Sequence, residues 1–218
     1  LKIIGGNVEF DHIIDPVIHF TGPLLSMDVE PINNNTFVIA TINSSTTNAT
    51  MSELSFTEYF TNGTIRRGPF HKDQTLGPVT AVAVEMINST HIYLGWFDQH
   101  LLDELRGIYD LDGTQVLGPT TIDGAGGGSS ADTCLAHFGT SANRTFFGWV
   151  DAIEADFDAV IVPDNSTTTA FVGETGIDVT FAPGVNRTDF IDCQTINSTS
   201  AVTFRVDGAQ ADATYATY

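Results

Sequence analysis

The sequence predicts an all-β fold built from tandem four-stranded antiparallel units, and three observations carry that expectation. Short runs rich in β-branched and aromatic residues alternate with turn residues along the chain. Asn/Asp-Gly-like turns fall at Asn62-Gly63-Thr64, Asp112-Gly113-Thr114, Asn165-Ser166-Thr167 and Asp207-Gly208-Ala209. Between them sit Asn-x-Ser/Thr tripeptides that each open an apolar strand, at Asn34, Asn88, Asn143 and Asn186, and the whole unit recurs at 42 to 55 residues.

Each unit reads as four strands. The first precedes the tripeptide: LLSMDVE (24–30), VTAVAVEM (79–86), DTCLAHF (132–138) and IDVTFA (177–182). The second follows it, over 34–42, 88–98, 143–151 and 186–193. The third leads into the Asn/Asp turn, at 54–60, 105–110, 157–162 and 201–206. The fourth leaves that turn, at 64–70, 114–118, 167–172 and 211–217. One segment, 97–107, has partial helical spacing at Leu101, Leu102 and Leu105, but it is too short to stand as a helix.

Four-stranded units of this length in tandem resemble the blades of the β-propeller superfamily. The resemblance covers residues 24–218 and rests on period and turn placement. The Gly-His and Trp-Asp dipeptides of WD40 blades are missing at the expected places. It implies four blades, about 24–76, 77–127, 128–176 and 177–218, with residues 1–23 as the end of a preceding blade. Four and a half blades do not close neatly, so closure falls to the N-terminal strands, to partner chains or to further sequence. The chain has no initiator Met and no signal peptide at its start, as expected of a processed protein or a fragment. The alternative architecture is two β-sandwich domains joined by the Gly/Ser-rich stretch DGAGGGSSAD. On the propeller reading, Trp96 and Trp149 belong between blades.

Composition narrows the function. Twenty-seven acids against 8 bases give a formal charge of −19, a surface that repels nucleic acid and anionic lipid. No apolar run reaches the roughly 20 residues of a membrane helix. Nine of the 12 asparagines, Asn34, Asn43, Asn48, Asn62, Asn88, Asn143, Asn165, Asn186 and Asn197, begin glycosylation tripeptides. With Ser and Thr about a fifth of the chain, chance predicts about two or three. The excess predicts N-linked glycans, passage through a secretory system and an extracellular or cell-surface location. Two cysteines, Cys134 and Cys193, fit one disulfide in that compartment. Two separate buried thiols are the alternative.

Reactive constellations are sparse. The six histidines make no H-x-H, H-x-x-x-H or H-E-x-x-H spacing, and there is no G-x-S-x-G elbow or phosphate loop. The acidic connections offer Asp98, Asp103 and Glu104 in one loop and Asp151, Glu154 and Asp156 in the next, as a solvated rim or as oxygen ligands for Ca²⁺. The function expected from these observations is non-catalytic: a structural or adhesive subunit of an extracellular filament, coat or matrix, assembling with itself or with other surface glycoproteins. The alternative is a carbohydrate- or calcium-dependent binding module. A glycoside-processing enzyme would need two carboxylates roughly 5 to 10 Å apart in a cleft.

Overall fold

A computed structural model describes residues 2–4, 7–9, 24–44, 51–73, 79–98, 101, 103–122, 130–139, 143–151, 156–165, 190–197, 200–207 and 210–217. A short hairpin, β1 (Lys2–Ile4) with β2 (Asn7–Glu9), comes first. The first blade is β3 (Leu24–Asn33), β4 (Thr36–Ser44), β5 (Ser52–Phe60) and β6 (Ile65–Asp73), hydrogen-bonded in chain order. The second repeats it with β7 (Val79–Met86), β8 (His91–Asp98), β9 (Asp103–Asp110) and β10 (Gln115–Thr121). The third contributes β11 (Ser130–His137), β12 (Arg144–Asp151) and β13 (Asp156–Pro163). The fourth contributes β14 (Phe190–Asn197), β15 (Ser200–Asp207) and β16 (Gln210–Thr217). Every pairing is antiparallel. The first strands pack side by side, β3 on β7, β7 on β11 and β11 on β14. This is a β-propeller arrangement rather than two sandwiches. Among the described residues, no helix is long and apolar enough to cross a membrane.

The hairpins form where the turn chemistry allows them. Gly63 (φ 84°) and Gly113 (φ 89°) take the left-handed position of three-residue loops. The loops are closed by Phe60 N–H to Thr64 O and by Asp110 N–H to Thr114 O. In the 97–107 segment the described ends are strand: Asp98 of β8 pairs with Asp103 of β9, and Leu105 lies on β9.

Apolar side chains of the first three blades meet between them. Val38, Ile42, Leu54 and Phe56 of the first blade pack on Val84, Leu94, Trp96 and Tyr109 of the second. Tyr93 and Ile108 on the second blade's other face pack on Leu135, Phe147 and Trp149 of the third. Gly95 permits the second contact, because a Cβ there would lie 2.8 Å from the Phe147 ring carbon Cζ.

Of the fourth unit, β14, β15 and β16 overlap the segments expected over 186–193, 201–206 and 211–217, and β14 stands beside β11 in the first-strand row. Cys134 on β11 and Cys193 on β14 are bonded, with Cα atoms 5.4 Å apart, which ties the two strands together. The strands expected at 167–172 and 177–182, with Asn48, Glu154 and Asn186, lie outside the described residues.

Candidate functional site

First strands of blades do not pair with one another as a ladder, so their edge N–H groups need other partners. On β3 the side chains alternate. Leu25, Met27 and Val29 are exposed on one face, while Ser26, Asp28, Glu30 and Ile32 are half-buried on the other. That second row reaches β7. Val82 N–H donates to Ser26 Oγ at 3.2 Å, Val84 N–H to Asp28 Oδ2 at 2.8 Å, and Met86 N–H to the Glu30 carboxyl. The same device recurs one blade on, where His137 N–H of β11 donates to Glu85 Oε1 of β7 at 3.4 Å. Between β11 and β14 it is Thr195 Oγ1 that donates to His137 O, at 2.6 Å.

This row brings Asp28 and Glu30 together at β3's contact with the next blade. Burial pushes the Glu30 carboxyl up to about 7, and the negative charge of Asp28 adds to the rise against the opposing Met86 N–H. Residues two apart on a strand lie about 6.7 Å apart along it. The amides that hold the two carboxyls, Val84 and Met86, have the same spacing. The two carboxyls therefore line the same edge of β3, each held by its own β7 amide.

A second polar group closes the end of β11. His137 Nε2 and Asp164 Oδ2 are 2.9 Å apart and both side chains are buried. Gly139 N–H donates to His137 Nδ1 at 3.2 Å, which leaves the imidazole proton on Nε2, facing Asp164. Thr145 Oγ1 donates to Asp164 Oδ1 at 2.8 Å. Every polar atom of this group that faces inward has a partner, which is the signature of an orienting network under a strand end.

Of the acidic loop residues, Asp98 and Glu104 are buried and Asp103 is half-buried, and Asp98 is paired with Asp103 in the β8–β9 register. Asp151 is paired with Asp156 in the backbone register of β12 and β13. Among the described residues, no group of three His, Cys, Asp or Glu side chains is arranged to hold a metal ion. Of the glycosylation tripeptides, Asn34, Asn62, Asn143 and Asn165 are exposed, Asn88 is half-buried, Asn43 is buried on β4, and Asn197 ends β14.

Asp28, Glu30 and Glu85 are not among the loop acids that the sequence singles out. The available signal was acids standing inside otherwise apolar first strands, at alternate positions in LLSMDVE and near the end of VTAVAVEM. The His137–Asp164 pair, 27 residues apart, left no local signal.

No family model and no curated protein sequence matches the chain. Solved structures do. A protein of unknown function from Dyadobacter fermentans superposes with a TM-score of 0.52 at 8% identity, over 83% of this chain and 49% of its own. A GH43_1 enzyme from Xanthomonas citri gives 0.52 at 12% identity, over 88% of this chain and 67% of its own. Its complex with xylose gives 0.53 at 11% identity, over 88% and 68%. The chain thus spans about half the length of the first of these and about two thirds of the others. At these identities the likeness shows the fold. It corrects the expectation of a non-catalytic filament, coat, matrix or adhesive subunit, because the propeller that suggested a passive repeat is shared with glycoside hydrolases.

Proposed function

We propose that the chain is part of a secreted glycoside hydrolase that acts on pentose-containing saccharides, with Glu30 and Asp28 as its carboxyl pair. The observation that carries this reading is Glu30, a carboxyl pushed up to about 7 beside a second carboxylate on an axial strand. A proton held at neutral pH is what a general acid needs to protonate a leaving glycosidic oxygen. Asp28, whose Oδ2 accepts the Val84 N–H, supplies the carboxylate that activates water. A pair about 6.5 to 9.5 Å apart leaves room for direct attack of that water with inversion, and a pair about 5 Å apart gives retention, so the product anomer reports the working separation. The fold shared with the Xanthomonas citri enzyme, including its complex with xylose, supports the substrate class. The Cys134–Cys193 disulfide and the density of glycosylation tripeptides support an oxidising, extracellular setting.

The test is hydrolysis of aryl xylosides, aryl arabinosides and xylo-oligosaccharides by the full chain, wild type against E30Q and D28N, with the product anomer read by proton NMR. The reading expects turnover by the wild type and losses of about 100- to 10,000-fold in kcat for E30Q. No turnover on any of these sugars, or an E30Q variant as active as the wild type, overturns it.

A further inference from the structure

We propose that the folded chain carries N-linked glycans as a belt on one end of the blade array, at Asn34, Asn62, Asn88, Asn143 and Asn165, and none at Asn43. Antiparallel strands place first-to-second and third-to-fourth connections at the same end of each blade. Asn34 lies between β3 and β4, Asn62 between β5 and β6, Asn88 between β7 and β8, Asn143 just before β12, and Asn165 just after β13. All five occupy that end.

Two of them share one local geometry. Asn62 Oδ1 accepts Thr64 N–H at 3.0 Å and Thr64 Oγ1–H at 2.8 Å. Asn88 Oδ1 accepts Thr90 N–H and Thr90 Oγ1–H, both at 2.9 Å. In each case the third residue's N–H and hydroxyl both donate to the amide oxygen, so it is the oxygen and not the nitrogen that holds the turn. The transfer itself needs a lipid diphosphate-linked oligosaccharide and its transferase. Nδ2 forms a bond to the sugar C1, the C1–O bond to the diphosphate breaks with its electron pair, and the amide proton passes to a base on the transferase.

Asn43 is the opposite case. Its side chain is 5% exposed, and Nδ2 donates to Thr41 Oγ1 at 3.4 Å inside the first blade. A sugar on that nitrogen cannot coexist with this packing, so a chain modified there fails to fold and leaves the secreted pool. Asp112 is a built-in comparison. Asp112-Gly113-Thr114 makes the same turn, with Thr114 N–H donating to Asp112 Oδ1 at 2.9 Å, but a carboxylate offers no nitrogen.

The experiment is glycopeptide mapping and intact mass of the full chain secreted from a cell that makes N-linked glycans, as wild type and as D112N. The expected result is occupied Asn62 and Asn88, bare Asn43, and one added glycan in D112N. A glycan on Asn43, bare Asn62 and Asn88, or a D112N chain of unchanged glycan number would overturn the proposal. None of these outcomes bears on Glu30, so this inference and the hydrolase reading fail separately.

Discussion

Glu30 couples its proton to the stability of the fold. Its folded pKa is raised, so its contribution is fully present below the unfolded value of about 4.5 and is lost as pH rises through about 7. Wild-type thermal stability should therefore fall between pH 5 and pH 8, and E30Q should flatten that part of the curve. Melting scans across this range check it. If the wild type loses nothing that E30Q retains, Glu30 does not hold the proton. Gly95 makes a different kind of demand, on space. Because the Phe147 ring lies where its Cβ would be, G95A should cost about 1 to 3 kcal/mol through displaced inter-blade packing. Urea unfolding measures it, and an unchanged midpoint would mean that the ring moves freely. Gly95 sits in a legible GWFD segment, yet nothing local indicates that the ring it admits comes 52 residues later.

At the level of the strands, side chains do the work that a β-ladder does elsewhere. Ser26, Asp28 and Glu30 serve three successive alternate N–H groups of β7, and Glu85 begins the same service to β11. The disulfide then ties β11 to β14. The residues it joins are 59 apart in sequence, and closing such a loop in the unfolded chain gives about 4 kcal/mol on a chain-entropy account. A C134S/C193S double variant should lose a stabilisation of that order in denaturant titrations. A loss near zero would mean that β14 is held by its strand neighbours alone. Strand positions were legible from turns and β-branched runs through the first two blades, where Gly63 and Gly113 fix the loops. That β14 stands beside β11 was not legible, because the Cys134–Cys193 bond is a contact between blades with no local signal.

For the molecule as a whole, period and turn spacing were enough to identify a propeller, since both are local properties that repeat. Function was not legible in the same way. The carboxyls that matter are drawn together by the strand row around the axis, and their environment, not their spacing in sequence, distinguishes them. Burial and a neighbouring charge set Glu30 apart among the described acids. The pairing also makes a prediction about the dyad as a unit. D28N removes the charge that helps hold the Glu30 proton, so the Glu30 midpoint should move down while burial keeps it above the ordinary glutamate range near 4.3.

The central claim is that Glu30 keeps a proton at neutral pH because it is half-buried beside Asp28. Its most direct test is a titration of the Glu30 side-chain carboxyl by carbon-13 NMR on the full chain, assigned with E30Q and repeated in D28N. A midpoint near 7 that drops in D28N is the predicted result. A midpoint in the ordinary glutamate range in both proteins would contradict it and remove the proton donor from the proposed chemistry.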